Sequence, residues 1–492
     1  MKRVVIIGGG IAGMTAGVLL QKAGFQTEIY EKNALPGGLC TGWKREGYFI
    51  DNCIHWLTGT RPGSGLHELW KEIGALGDGV ELHKKEMFFS SKLDGRVLTF
   101  WRDKERTRKE MLELSPEDEK EINKLIDYVS MAENMTVPVE KPFDAMNPID
   151  FIKLGMSMKE MGKVMKAYGN MDMKELAMRF KNPLIRRAIT DYMPRGYQAY
   201  AFLVSYATVT GGNGDIPAGG SFKMSLRVAQ KYKEYGGVLH TNAEVEKIIL
   251  RGKRAEGILL KSGAKVSADF VICACDTNYT FHKLLPEAYM PGGLKKMYEE
   301  REKYPVNSGF QIAYAVDGGF GELTGTRVFS CEPLKVGSRS VYCMSVQSYD
   351  YDPDFAPEGK MILQSNFSQT EEDYRYWEVL YADKEAYRKQ KNKTARAAME
   401  RVVTEYPFLA GKLRVLDVWT PMTYTRYCNS YKGAYMSFVM TRQAKSITVP
   451  GKVKGLDNVL LASQWLMGPG GLPTAAAMGK FAAWRIIKRK DM

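Results

Sequence analysis

The sequence predicts a mixed α/β and α+β protein of two intertwined domains. Three observations predict it. A glycine-rich turn, GGGIAG, follows an apolar run at the start of the chain. Residues 214–276 again pass from a glycine pair through a helix to apolar strands. The chain closes on LDNVLLASQWLMGPGGLPTAAAMGKFAAWRIIKRK, an apolar strand running into a glycine-rich loop and a small-residue helix. At 492 residues the chain is also too long for one simple core.

The opening can be justified element by element. Residues 4–7 read as a buried parallel strand, and residues 12–23 as the helix that follows, with Gly24 as its stop. Gly8, Gly10 and Gly13 fit G-x-G-x-x-G, and Ile11 and Ala12 open the helix at the phosphate end. The first glycine permits the tight turn. The second lets a pyrophosphate touch the backbone, and the third lets helix and strand pack closely. Phosphates then rest on the helix N-terminus, where free N–H groups and the dipole favour negative charge. Residues 27–30 form the second strand, and Glu31 ends it where a carboxylate takes ribose hydroxyls. Glu31 is expected to accept two such hydrogen bonds, and it would repel a 2′-phosphate. Further on, residues 226–235 read as a helix ended by Gly236-Gly237. Residues 245–250 and 255–260 read as a hairpin around RGK, and residues 270–275 and 459–462 as strands.

Composition bounds the function. Hydrophobic residues are 45% and charged residues 26%, ordinary for a globular protein. No run of 18 clean apolar residues implies a membrane-spanning helix. Met1 leads almost directly into the first strand, so no signal peptide is expected. Seven cysteines without ligand spacing indicate a reducing, cytoplasmic setting. The five histidines form no metal motif, so no metal is expected. The net charge is +14, yet no basic tract interleaves with aromatics, so nucleic acid is not an expected partner. Attraction to anionic lipid, cofactor or substrate is the better reading of that charge; a merely soluble surface is the alternative.

Which dinucleotide is bound follows from what comes next. After Glu31 stand KNALPGGLC, with Gly37-Gly38, and then Gly47-Tyr48-Phe49-Ile50-Asp51. This pattern resembles the glutathione-reductase-type FAD superfamily, in the branch of flavin amine oxidases and phytoene desaturases. A plain NAD-binding domain is the alternative. The stretches YDPDFAPEGKMIL, WTPMTYTRYCNSYKGAYMSF and DNCIHW are similar to segments of phytoene desaturases, carotenoid isomerases and retinol saturases, although Cys53 replaces a glycine of the last. The resemblance covers most of the chain. It implies a discontinuous Rossmann-like FAD-binding domain at residues 1–80, 214–289 and 451–492. An inserted sheet-plus-helices substrate domain would occupy 81–213 and 290–450, with a helical lid at about 145–180. It places Lys32, Gly37, Gly38, Leu39, Ile54 and His55 along the cofactor and Val245 at the adenine. Gln464, Gly470, Gly471, Leu472 and Pro473 then fall at the flavin end. Many relatives carry an acid after the last strand; here Ser463 and Gln464 stand instead, and either can bond the ribityl hydroxyls.

The resemblance further implies that the flavin carries the redox chemistry while the protein orients the substrate and excludes water. No second G-x-G-x-x-G follows a strand, so NAD(P)H, if used, must visit the flavin without a domain of its own. His55 is the candidate proton-handling group, or else a wall residue bonded to a carbonyl. Arg426 and Tyr427 are candidates for holding a polar substrate end, or else make structural bonds. Leu154, Met158, Met161 and Met165 form one helical stripe beside Lys159, Lys163 and Lys166. The stripe is either core or a pliable lid, since methionine adapts to irregular ligands. A basic amphipathic helix can also lie on an anionic bilayer. The leading expectation is an FAD enzyme that desaturates, saturates or isomerises a lipophilic, polyene-like substrate, cytoplasmic or held at a membrane surface. A flavin amine oxidase and a lipid carrier without turnover are the alternatives.

Overall fold

The computed structural model describes residues 1–53, 55–193, 196–318 and 321–490. Strand Arg3–Ile7 lies at the centre of a five-stranded parallel sheet. Gln26–Tyr30 and then Val238–His240 lie on one side of it, Phe270–Cys273 and Val459–Leu461 on the other. Val4 to Ile7 are almost wholly buried, as a parallel strand covered on both faces must be. Helix Ile11–Lys22 packs between two other helices and touches both without side chains in the way. A Cβ on Gly17 would stand 2.7 Å from the Tyr232 ring of helix Gly220–Glu234. One on Gly479 of helix Leu472–Lys490 would stand 2.3 Å from the Ala12 carbonyl.

A seven-stranded mixed sheet forms the second layer. Its order is Leu413–Trp419, Ser308–Asp317, Lys360–Gln369, Arg339–Ser348, Thr326–Val336, Met87–Leu93, Arg96–Trp101. Ser308–Asp317 and Lys360–Gln369 run antiparallel in unbroken register, which sets Gln311 opposite Asn366. Helix Lys384–Glu405 covers one face of this sheet with Ala395, Ala398 and Val402. A helical cluster built from Glu119–Ala132, Lys159–Tyr168, Pro183–Tyr192 and Ala199–Thr210 shares a separate aromatic core with Phe89 and Phe100.

Two helices depart from the sequence reading. The methionine stripe is not one helix: Pro148–Ser157 and Lys159–Tyr168 meet at Met158, whose φ of −98° and ψ of 7° break the run. The first piece starts on an Asn147/Asp150 capping box and has no buried residue at all. The other departure is helix Gly220–Glu234, which opens at Gly220 rather than at residue 226. Its cap comes from far away. Asp51 accepts from Ser221 N–H at 3.1 Å and Phe222 N–H at 3.0 Å, and from the Ser221 hydroxyl. Burial pushes Asp51 up to about 6 against those bonds, so the cap is held at some electrostatic cost.

Candidate cofactor and substrate site

One cavity of about 830 Å³ runs from Glu31 past the glycine turns to the methionines of the helical layer. Its narrow part is bare backbone. Gly8 holds φ at +105°, and a Cβ there would stand 3.0 Å from the Ala274 carbonyl. Gly13 lies under the turn, where a Cβ would meet the Gly8 carbonyl at 2.1 Å; it packs rather than lines. Gly10 differs from both, for a Cβ on it would meet nothing within 4 Å, because the space belongs to the cavity. Gly37 N–H donates to the Gly9 carbonyl at 2.8 Å, which brings Gly38 alongside Gly10. Helix Ile11–Lys22 has no side-chain cap on its N-terminus, so its first N–H groups face this slot. A pyrophosphate fits such a place, and the residues present therefore fit FAD.

At the nucleotide end Glu31 is buried and already engaged. Its Oε2 accepts from Gly9 N–H at 2.8 Å, and its Oε1 from Asn33 N–H and Nδ2 at 2.9 Å each. A carboxylate oxygen takes about two donors. Oε1 is thus full, and one place remains on Oε2. In this arrangement Glu31 has room for one further donor, where the sequence leads to the expectation of two ribose hydroxyls. Lys32 lines the same end and is held below its usual range by burial. Its Nζ donates to the Arg426 carbonyl and Asn429 Oδ1, each at 2.8 Å. Val245 closes this end beside Glu244.

Toward the other end, Leu39, Gln464, Gly470, Gly471, Leu472 and Pro473 all line the cavity. Gly470 and Gly471 both hold φ at +86°, where a side chain would be strained. Gln464 Oε1 accepts from Gly471 N–H at 2.8 Å, so this side chain first secures its own loop. Helix Leu472–Lys490 begins there, with Pro473 in its first turn and Thr474 and Ala475 also in the wall.

Beyond the glycines the cavity widens. Met135, Val137, Met158, Met161, Met165 and Val204 make one apolar wall. Met161 is also buried in the helical core, so the stripe is both core and wall. The facing wall is polar but neutral. Gln311 Nε2 donates to the Tyr424 hydroxyl at 2.7 Å, and that hydroxyl donates to Asn52 Oδ1 at 3.2 Å. Among the described residues, Asn366 Oδ1 has no hydrogen-bond partner within ordinary geometry. Arg426 is not brought here. Its side chain is exposed near the C-terminus of helix Pro421–Cys428, where the helix dipole favours a cation. Tyr427 is in the wall but at the nucleotide end, its hydroxyl 3.2 Å from Thr41 Oγ1. Ile54 lies outside the described residues.

His55 is exposed, all of it toward the cavity, while protein atoms crowd the ring from behind; the pH effect of that crowding therefore holds only where the cavity is dry. Its Nδ1–H donates to Gln347 Oε1, which leaves Nε2 as an acceptor. Desolvation, and then the Lys85 cation, push it down to about 4. The sign follows. Between the ordinary histidine range near 6.5 and about 4, the unfolded chain binds the proton and the folded one does not. Folding stability contributed here is complete above about 6.5 and is lost as pH falls toward 4. His55→Gln is expected to flatten the stability–pH curve in that window, measured by denaturant unfolding; an unchanged slope would show that the ring is solvated.

Sequence reasoning passed over several wall residues. Asp276 is enclosed and pushed by burial up to about 6, while it accepts from the N–H groups of Asn278, Tyr279 and Tyr431. Gln311, Asn366 and Tyr435 reach the cavity only because strands and loops far apart in sequence meet there. Cys40 and Cys53 lie with their sulfurs 3.8 Å apart, a pairing the sequence did not suggest.

Comparison with known proteins agrees with this geometry. The flavin containing amine oxidoreductase family matches residues 11–487. A phytoene desaturase (lycopene-forming) of Paracoccus sp. (strain N81106 / MBIC 01143) is 25% identical over 58% of this chain and 56% of its own length. The 4,4′-diaponeurosporene oxygenase of Staphylococcus haemolyticus (strain JCSC1435) is 22% identical over 99% of this chain and 97% of its own. Among solved structures, an oxidoreductase from Methanosarcina mazei superposes with a TM-score of 0.62 at 19% identity, covering 98% of this chain and 100% of that one. A putrescine oxidase bound to putrescine superposes at 0.61 with 16% identity, covering 99% of each chain. These two likenesses show the fold. With a cradle that fits a flavin dinucleotide and a family match over nearly its whole length, the chain belongs to the flavin containing amine oxidoreductases and is an FAD-dependent oxidoreductase.

Proposed function

We propose that this enzyme acts on carbon–carbon bonds of a neutral, lipophilic, unsaturated substrate of the polyene class, by desaturation, saturation or isomerisation. One observation carries the reading. Among the described residues, the acids and bases of the cavity wall other than His55 are Glu31, Lys32, Glu244 and Asp276, all grouped around the nucleotide end. The wide part offers methionine and aliphatic surface on one side and uncharged amides and phenols on the other. An ammonium substrate brought there would lose its water and find no carboxylate, a cost of several kcal/mol. A long apolar substrate loses nothing comparable and gains about 25 cal/mol per Å² buried. The names of the two carotenoid-enzyme relatives favour the same reading. FAD supplies the redox chemistry. The protein's part is to hold the chain of the substrate against Met158, Met161 and Met165, to exclude water, and to keep His55 neutral with Nε2 available at the cavity.

The domain division at residues 1–80, 214–289 and 451–492 against 81–213 and 290–450 belongs to this reading. It is supported by the parallel sheet drawing all its strands from the first set and the mixed sheet from the second. A membrane surface as the source of substrate belongs to it too. Helix Pro148–Ser157 ends at Met158, a residue of the cavity wall, and carries Ile149, Phe151, Ile152 and Met156 half or more exposed. No helix among the described residues is long and apolar enough to cross a membrane.

The test is anaerobic mixing of the FAD-loaded protein with a conjugated polyene, a partly saturated polyene and a diamine, each with and without NADH, while flavin absorbance and polyene spectra are followed. Change with a polyene and none with the diamine is the expected result. Bleaching by the diamine alone would establish the amine oxidase alternative. Glu31→Ala is expected to weaken FAD by about 1.5–3 kcal/mol, the worth of one hydrogen bond to a charged group. Equilibrium dialysis checks it, and a loss under threefold would place the ribose elsewhere.

A further inference from the structure

We propose that Cys40 and Cys53 form a reversible disulfide in the cavity wall, a redox modification site that takes a hydroperoxide as its oxidant. Strands Gly42–Arg45 and Tyr48–Asp51 form a hairpin in which Gly42 faces Asp51. Asn52 N–H donates to the Thr41 carbonyl at 3.0 Å and carries the ladder one step further. Cys40 and Cys53 lie just beyond this end of the hairpin, where the chain turns away through Cys40 N–H to the Gly37 carbonyl, and their sulfurs stand 3.8 Å apart. The Cys40 thiol already donates to the Cys53 sulfur, and the bond needs the sulfurs to close from there to about 2.05 Å. Both residues line the cavity, so a small oxidant reaches them from the same space.

The chemistry balances. The Cys53 sulfur, which is the acceptor of the thiol contact, attacks the O–O bond of hydrogen peroxide. This gives Cys53–S–OH and, with the thiol proton, one water. The Cys40 sulfur then displaces the hydroxyl, which leaves with the Cys40 proton as a second water. Two thiols are oxidised by two electrons, and one peroxide is reduced. The hydrogen bond to Cys53, and then burial, hold the Cys40 thiol well above its ordinary value, so Cys40 is the resolving rather than the attacking sulfur. The bond would tie the turn that carries Gly37 and Gly38 to the segment that leads to His55. Cys40 is a firm anchor for it: its N–H donates to the Gly37 carbonyl at 3.1 Å, and its carbonyl accepts from Ser225 Oγ at 3.1 Å.

The experiment uses the FAD-loaded protein. It is exposed to a small excess of hydrogen peroxide, alkylated with N-ethylmaleimide, digested and read by mass spectrometry. The expected product is a Cys40–Cys53 linked peptide two hydrogens lighter than the thiol pair, restored to two thiols by dithiothreitol. The thermal midpoint should rise with oxidation, since the link restricts the unfolded chain, and should not move in Cys53→Ser. Recovery of both cysteines as alkylated thiols, oxidation of either to a sulfinic acid without a link, or pairing with Cys428 or Cys275 would each overturn the proposal. The wild-type peptide map decides the matter even if the serine variant fails to fold.

Discussion

Gly10→Val should give a folded protein that binds no FAD. The two halves of that statement rest on different observations. Gly10 has φ of −75° and ψ of 177°, extended backbone that a β-branched residue adopts without strain. A Cβ at this position meets no protein atom within 4 Å, so nothing in the fold resists it. The space it enters is the slot between the first turn of helix Ile11–Lys22 and Gly38, the place the cofactor reading gives to the pyrophosphate. Valine there removes the close approach and covers the free N–H groups. Flavin content after purification should fall to background, while far-ultraviolet circular dichroism and the denaturant slope stay those of the apoprotein. Gly13→Val is the contrast. Its Cβ would stand 2.1 Å from the Gly8 carbonyl, so this variant should fail to fold rather than fold empty. Flavin at normal occupancy in Gly10→Val would remove the cofactor from this slot.

That contrast also shows what the sequence made legible. The cradle could be read because every part of it is local: strand, glycines, helix and acid lie within the first 31 residues, and each constrains the next. The observed strand Arg3–Ile7 and helix Ile11–Lys22 differ from the expected ranges by one residue at their ends. Local patterns failed where partners are remote. The six residues that precede position 226 join their helix because Asp51 caps it across 170 positions of sequence. One miss was local: Asn33, only two positions on, bonds Glu31 Oε1 with both its N–H and its Nδ2, and nothing in the sequence pattern marked it. The sequence allows Arg426 either to hold a polar substrate end or to make structural bonds. Its helix turns that side chain outward and sends Tyr424 inward instead. The neutrality of the wide chamber was invisible for the same reason, since Gln311 and Asn366 become neighbours only through sheet register.

Replacing Ile149, Ile152 and Met156 together by glutamate should abolish salt-resistant binding to anionic vesicles while the fold and FAD stay intact. Positions 149, 152 and 156 share one face of helix Pro148–Ser157 and are 62%, 62% and 67% exposed, so no core contact is lost. The methionine stripe is a poorer place for this test. Met161 is 5% exposed, and a glutamate there would bury a charge in the helical core. Charge and apolar burial contribute separately. Lys153, Lys159 and Lys166 beside this helix carry no ion pair among the described residues and add to a net charge of +14, a term that salt screens. Three large apolar side chains entering the interface add about 1.5–3 kcal/mol each when fully buried, a term that salt leaves alone. High salt should therefore weaken wild-type binding in a vesicle sedimentation assay without ending it. The triple variant should lose roughly fortyfold or more at high salt, since half of that burial is at least about 2.3 kcal/mol. Turnover of a polyene presented in vesicles should fall with it, whereas turnover of the same polyene in detergent should not. Salt-resistant binding retained by the triple variant would mean that this helix does not enter the membrane, and the apolar face would then need a different partner.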